Sequence, residues 1–344
     1  MIFARMRATA VVFGATIVML AGCAGLGSQV ASPINPTSVR QSQQSPDVSS
    51  GHRFDFLMPQ RRQRNLAWQG SPDQGWISPD AAGQRLVYVA DEGLQTVFIF
   101  PQKGNDQAPI GKITTGLAAP NGLFVDSSRK LYVCNFANGT VTIYRHGSIT
   151  PLRTLTGAGS PIEVVVGLDG SVYVSNSETG SSGTVLEYPK GQTFPSATIN
   201  INGGPAGLAL DSSNNLYVAY NDSTKLDGEV LKFAPGRKVG MNLGIHLAAV
   251  AGATIDSHDD LLLDDQVIPG VDVFPPGATQ PSNQITGFSE AVDIALTESD
   301  SKLWVTDPSG IVNEVAYPSG THTNALRKYL SSALGVATSP EGSD

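Results

Sequence analysis

Six times along the chain a short apolar run ends at a polar turn and a second apolar run follows. The runs read "VYVAD", "LYVCN", "VYVSN", "LYVAY", "LLLDD" and "LWVTD". Their central residues are Tyr88, Tyr132, Tyr173, Tyr217, Leu262 and Trp304, which stand 44, 41, 44, 45 and 42 residues apart. Before each of the last five lies another apolar stretch: "GLFVD" at 122–126, "EVVVG" at 163–167, "GLALD" at 207–211, "GATID" at 252–256 and "VDIAL" at 292–296. After each comes a third run, such as "TVFIF" or "TVTIY", often followed by a Pro-Gly type turn and a weaker fourth run. Short runs joined by such turns predict antiparallel hairpins. The second and third runs are apolar on both sides, as expected when a sheet is covered on both faces. A repeat of about 40–45 residues suits one four-stranded blade of a β-propeller.

The ends of the repeat predict how the ring closes. "ALGVATSPEG", from Ala333 to Gly342, reads as a first strand with nothing after it. The first repeat lacks that strand and opens on "GWISPDAAGQ", which has the character of a helical turn. The C-terminal segment is therefore expected to supply the innermost strand of the blade that begins near Gln84, hiding two sheet edges at once. The expectation is an all-β, six-bladed propeller over residues 67–344, or seven blades if "GWISP" forms a strand of its own.

Composition agrees with many short strands. Of 344 residues, 37 are Gly and 22 Pro, and only 15% are charged. Gly and Pro serve turns and harm helix interiors. The formal net charge is −8, so the chain lacks the basic footprint that nucleic acid requires.

The first 22 residues read as a secretory signal. Arg5 and Arg7 precede the uncharged run "ATAVVFGATIVML", and small residues follow. Residues 23–66 are poor in large apolar side chains at first and rich in Ser, Gln and Pro, which predicts a tether with a reach of about 30 Å. The lead-in with Arg61, Arg62 and Arg64 reads as a solvated segment that packs Phe54, Phe56 and Trp68 on the domain, with contact to anionic lipid as the alternative. Beyond the leader only Cys134 remains besides Cys23, so no intramolecular disulfide involving the mature domain core is expected. Cys134 lies in an apolar run and reads as a small buried hydrophobe.

Two resemblances follow from these residues. Leu20-Ala21-Gly22-Cys23 resembles the lipobox of bacterial lipoproteins, which implies a lipidated Cys23, export through the inner membrane and anchoring in the cell envelope, at the outer membrane, periplasm or cell surface. The stretches Pro120–Asn135 and Pro205–Tyr220 resemble NHL-type and related six-bladed propellers. That resemblance is specific for fold and poor for function, because propellers host many unrelated activities.

The polar residue closing each second run forms a column: Asp91, Asn135, Asn176, Tyr220, Asp265 and Asp307. Such residues bond turn amides. They could also form a ring at the channel mouth for calcium or another divalent cation, whose ligands are oxygens. Gluconolactonase-type propellers bind a metal through Glu, Asn and Asp at the channel entrance, in "PNG" and "PDG" contexts. Here "PNG" occurs once, at Asn121, with Glu163 at or next to an equivalent position and Ala206, Ala251 and Ala291 elsewhere. The candidate ring is thus Asp91, Asn121, Asn135, Glu163, Asn176, Asp265 and Asp307, with the metal unassigned. Streptogramin B lyase-like propellers use a His with acidic ligands, and no His here falls in a repeated column. The acidic group Asp256, Asp259, Asp260, Asp264 and Asp265 reads as a solvated turn, and the insertion 221–229 as a place for partner contact. No complete catalytic set is present in these motifs. The expected role is a non-catalytic binding or scaffolding module with no cofactor, taking a protein or small-molecule ligand on a propeller face. A metal-dependent lactonase or hydrolase is the alternative.

Overall fold

The computed structural model describes residues 74–340 apart from 178–181 and 226. The leader, Cys23, the tether and the arginine-rich lead-in lie outside the described residues. Six antiparallel sheets form six blades of a β-propeller. The innermost strands of blades 2 to 6 are Pro120–Val125, Pro161–Val166, Gly204–Leu210, Val250–Ile255 and Ile294–Leu296. In each of these blades three further strands follow outward in chain order.

Blade 1 closes the ring. Its innermost strand is the C-terminal segment Ala333–Thr338, paired antiparallel with Leu86–Asp91 from Val87↔Thr338 to Asp91↔Ala333. The Ser339 hydroxyl accepts a bond from the Leu86 amide at 2.8 Å, and the Ser339 amide donates to the Leu86 carbonyl at 2.8 Å. "GWISP" does contain a strand, Trp76–Ile77, but it pairs with Gly111 and Lys112 at the outer edge of blade 1. It is a fifth strand of that blade, so the count is six. The residues after it, Pro79–Gly83, form the expected helical turn, of 3₁₀ type.

The core is six apolar wedges, one between each pair of neighbouring blades. Tyr132 and Cys134 of blade 2 pack with Val164, Val174 and Tyr188 of blade 3. Trp304, fully buried, packs with Val87, Phe100 and Val336 between blades 6 and 1. This is why the middle strands are apolar on both sides.

Five of the six innermost strands carry the same irregularity at their upper end. The pairing slips by one residue between Pro120 and Leu123, and again at the matching points of blades 1, 3, 4 and 5. These are β-bulges, which twist the strand and aim side chains away from the ladder. The residue two places after the start of the bulge, with its sequence equivalent in blade 6, makes a set of six: Gly335, Gly122, Glu163, Gly207, Gly252 and Asp293 for blades 1 to 6. A Cβ on Gly335 would press into the Asn121 carbonyl of blade 2, and one on Gly207 would lie 2.7 Å from the Ala253 amide of blade 5. Neighbouring strands thus approach backbone to backbone here, and the channel has a neck. A Cβ on Gly122 would likewise strike the Ile162 carbonyl. Gly122→Ala is expected to cost about 1–3 kcal/mol, the usual range for overpacking. A urea midpoint within experimental error of wild type would refute that.

Two faces follow from the topology. The turns joining second and third strands lie on the upper face, with the connections between blades. The turns joining first and second strands lie on the lower face. There, side chains clasp blade to blade. Asn214, Asp259 and Asp300 have left-handed backbones, with φ of 63°, 63° and 49°. Each accepts an amide bond from the preceding blade's turn: Leu168 at 3.0 Å, Ser212 at 2.8 Å and Ser257 at 2.8 Å. Asn and Asp tolerate that backbone better than other non-glycine residues.

Candidate functional site: the acidic neck of the central channel

The Asp/Asn column sits on the upper face, and its oxygens hold loops. Asp91 accepts from the amides of Leu94 (2.9 Å), Ser331 (2.5 Å) and Ser332 (3.2 Å). Asn135 accepts from Ala118 at 3.1 Å and donates to Thr142 at 2.9 Å. Asn176 accepts from Gly159 and Ser160, Asp265 from Ala248, Val267 and Ile268, and Asp307 from Ser309. In blade 4 the column holds Tyr220, and the next residue does the work: Asn221 accepts from Val250 at 3.0 Å and donates back to its carbonyl at 2.8 Å. Each thus ties the strand end to a turn or an incoming connection. This answers why the repeat keeps Asp or Asn at this point.

Of the candidate ring, Glu163 is the member in the channel wall. The channel holds a cavity of about 320 Å³, with walls from all six innermost strands. Facing positions on the six strands are Phe124, Val165, Ala209, Thr254, Ala295 and Ala337. Leu168, Asp211 and Asn214 bring the wall to the lower face, where Leu168 is exposed. Glu163 and Asp293 stand at the other end, in the neck. Asn121 lies one residue before this ring, at the upper start of blade 2's strand.

Glu163 and Asp293 belong to blades 3 and 6, on opposite sides of the ring. They are the two acids in a ring otherwise made of glycine. Both are buried, at 8% and 6% exposed. Glu163 Oε1 accepts the Val164 amide at 2.9 Å, and Oε2 lies over Gly122, where a Cβ would be 2.6 Å away. Asp293 accepts the Ile294 and Val336 amides at 2.8 Å each, and so ties blade 6 to the closing strand. Burial disfavours the charged form, and each acid disfavours it further in Glu163, whose pKa is pushed well above the usual carboxylate range. The Asp293 carboxyl is pushed up to about 7 by burial, against its two amide donors.

A third acid stands behind the neck. Asp264 is fully buried on the second strand of blade 5, opposite the bulge. Its Oδ1 accepts the Ala251 and Gly252 amides at 2.9 Å each. Its Oδ2 is buried without a partner. A Cβ on Gly252 would lie 2.9 Å from that oxygen and 3.1 Å from Asp293 Oδ1. Burial raises the Asp264 pKa as well, with Asp293 adding to it. Cys134, buried in blade 2, has its thiol pushed up by burial and by Glu163 and Asp293, so it stays protonated.

The acidic group of blade 5 is not a solvated turn. Asp256, Asp264 and Asp265 are buried, and each accepts backbone amides. Asp259 is a clasp to blade 4. The group spreads from the lower face through the neck to the upper face. Asp293 was not foreseen as a site residue at all. Aligning the repeats on the bulge would have exposed it, as the second acid in a glycine ring.

Two other clusters bring acids and a His together. Asp227, Glu229 and His246 lie on the upper side of blade 4, in and beside the 221–229 insertion. Lys225 already pairs with Glu229, and Tyr220 and Asn242 each donate to it at 2.6 Å. Asp256, His258 and Asp300 meet on the lower face. There Asp256 holds its own turn and accepts from Tyr317 at 2.8 Å. Both carboxylate sets serve local charge and turn networks.

Comparison with known proteins bears on the fold. No protein-family pattern matches the chain, and no curated protein matches it. A chain of a nidogen–laminin complex superimposes with a TM-score of 0.59 and 15% identity, over 74% of this chain and 98% of that one. A functionally unknown protein from Desulfotomaculum acetoxidans gives 0.51 and 13% identity, over 70% and 80%. A structure named as a gluconolactonase gives 0.48 and 15% identity, over 68% and 88%, a score too low to argue from. At these identities the first two likenesses show the fold alone: the chain is a six-bladed β-propeller.

Proposed function

We propose that this chain is a binding module of a bacterial cell envelope, lipid-anchored at Cys23, that takes a small molecule into its central channel from the lower face. The observation that carries the binding site is the cavity itself. Apolar residues from all six strands line it between two polar ends, Glu163 and Asp293 at the neck and Asp211 and Asn214 at the lower face, and small-molecule sites likewise set a few polar groups in an apolar cavity. The anchoring half rests on the leader and lipobox residues. Fractionation of cells expressing the full-length chain checks it. The wild type is expected with membranes and Cys23→Ser in the soluble fraction; an unchanged distribution refutes the anchor.

The channel half is checked by a thermal-shift screen of small molecules of mixed charge, with Thr254→Trp as a plugged control. Compounds that raise the melting temperature of wild type but not of the plugged variant are expected. If no compound shows that difference, the channel is not the site.

A hydrolase reading has one observation in its favour: Asp293, with a pKa near 7, is poised for general acid–base work at the channel neck. Turnover of lactones or esters that is lost in Asp293→Asn would establish it.

A further inference from the structure

Two acids, Glu163 and Asp293, line the neck of the cavity and a third, Asp264, stands behind Gly252. Among the described residues the channel wall contains neither Lys nor Arg. Burying carboxylates is costly unless they are paired or protonated. Four of their six oxygens accept backbone amides: Glu163 Oε1, Asp264 Oδ1 and both oxygens of Asp293. That leaves two oxygens without a donor among the described residues: Glu163 Oε2, on a residue of the cavity wall, and Asp264 Oδ2, fully buried behind Gly252. An open space, an unpartnered buried oxygen and uncompensated acids point to a missing donor of positive charge.

Building on the channel-binding reading, we propose that the neck receives a primary ammonium group on a slender aliphatic stem, held by Glu163 and Asp293. An ammonium brings three N–H donors and a compact charge. The free Glu163 oxygen and the spare lone pairs of the two Asp293 oxygens are the acceptors for them. Calcium takes six to eight oxygens and magnesium an octahedron, more than the amide-bonded carboxylates leave open. Below the neck, Phe124, Val165, Ala209, Ala295 and Ala337 offer apolar wall, which suits methylene groups and not a hydrated ion. The stem must be narrow because the strands close on one another at the glycine ring.

Isothermal titration of the full-length chain with n-pentylamine, in an amine-free cacodylate buffer, tests this. Saturable one-to-one binding of pentylamine is expected, with none for 1-pentanol. Glu163→Gln is expected to weaken it at least tenfold, and Thr254→Trp to abolish it. Asp293→Asn serves as a second neck variant, and each variant is compared only if it melts cooperatively. Equal binding of pentanol, or undiminished binding to the neck variants, overturns the ammonium site. Calcium or magnesium that binds wild type, displaces the amine and is lost in Glu163→Gln assigns the neck to a metal and also overturns it. If neutral or anionic compounds still bind wild type and not Thr254→Trp, the channel reading survives alone. If nothing binds that Thr254→Trp removes, both readings fail.

Discussion

Deletion of the closing strand, by ending the chain at Ser332, is expected to abolish cooperative folding. Ala333, Leu334, Val336 and Ala337 are all buried. Val336 and Ala333 fill the wedge between blades 6 and 1, and Ala337 reaches that between blades 1 and 2. Burial of Leu334 and Val336 alone stabilises by roughly 1.5–3 kcal/mol each. The deletion also strips the ladder partners of Leu86–Asp91, leaving a buried, apolar strand as an open edge. It removes the Val336 amide from Asp293 and the Leu334 carbonyl from Thr306, which donates to it at 2.8 Å. Net stability of a domain is only about 5–15 kcal/mol, so losses of this kind, added together, consume it. Far-UV circular dichroism across a thermal ramp is the measurement. A deleted chain that still melts cooperatively within a few degrees of wild type would show that the ring does not depend on its closure.

The acidic neck is expected to make stability fall as pH rises from about 4 to 8. The sign follows from proton counting. Unfolded, Glu163, Asp264 and Asp293 ionise near the usual carboxylate values, close to pH 4. Folded, all three hold their protons to higher pH, because burial and mutual repulsion disfavour charge. Between those limits the native state binds more protons than the unfolded state, so stability declines with rising pH. For Asp293 the window runs to about 7. One group of opposite sign titrates inside the window: His146, whose pKa burial and then Arg129 lower, adds stability as pH rises towards 6.5, one group against three. Two more are Asp211 and Glu229, whose pKa values fall despite burial, through bonds to Asn215 and Lys232 and to Lys225, Tyr220 and Asn242. Their contribution is lost below about pH 4, outside this window. Glu163→Gln keeps an oxygen for the Val164 amide and removes one charge from the neck. It is expected to raise stability at pH 8 by a few kcal/mol and to flatten the slope. Urea midpoints at pH 5 and pH 8 for both proteins decide the matter. A wild type more stable at pH 8 than at pH 5, or a Gln variant with the same slope, would contradict the account.

Both results depend on features of different legibility. The repeat period, the number of blades and the return of the C-terminus to the first blade were readable from the order of residues. Each of these follows from local apolar runs, turn chemistry and the need to bury two edges. The Asp/Asn column was equally readable as a recurring position, since a turn repeated six times calls for the same residue type at each copy. Its use was left open, between turn amides and a ligand ring, until the loops that its oxygens hold came into view. Those loops enter from the connections between blades, and their path is set by packing.

The neck was decided by tertiary structure. Glu163 and Asp293 are 130 residues apart and share no local motif. What makes them one site is an equivalent place at the start of the innermost strand: a bulge, a one-residue slip of pairing, sets Glu163, and Asp293 stands at the matching position just before Ile294. The slip leaves no mark in apolar periodicity, so in the sequence Asp293 is part of the apolar stretch "VDIAL" and Asp264 part of an acidic group that reads as a solvated turn. Ring geometry then sets the two acids across a narrow space among four glycines, and burial gives them their chemistry. Strand, turn and repeat are short-range consequences of side-chain type; the opposition of two buried charges exists only once the circle is closed.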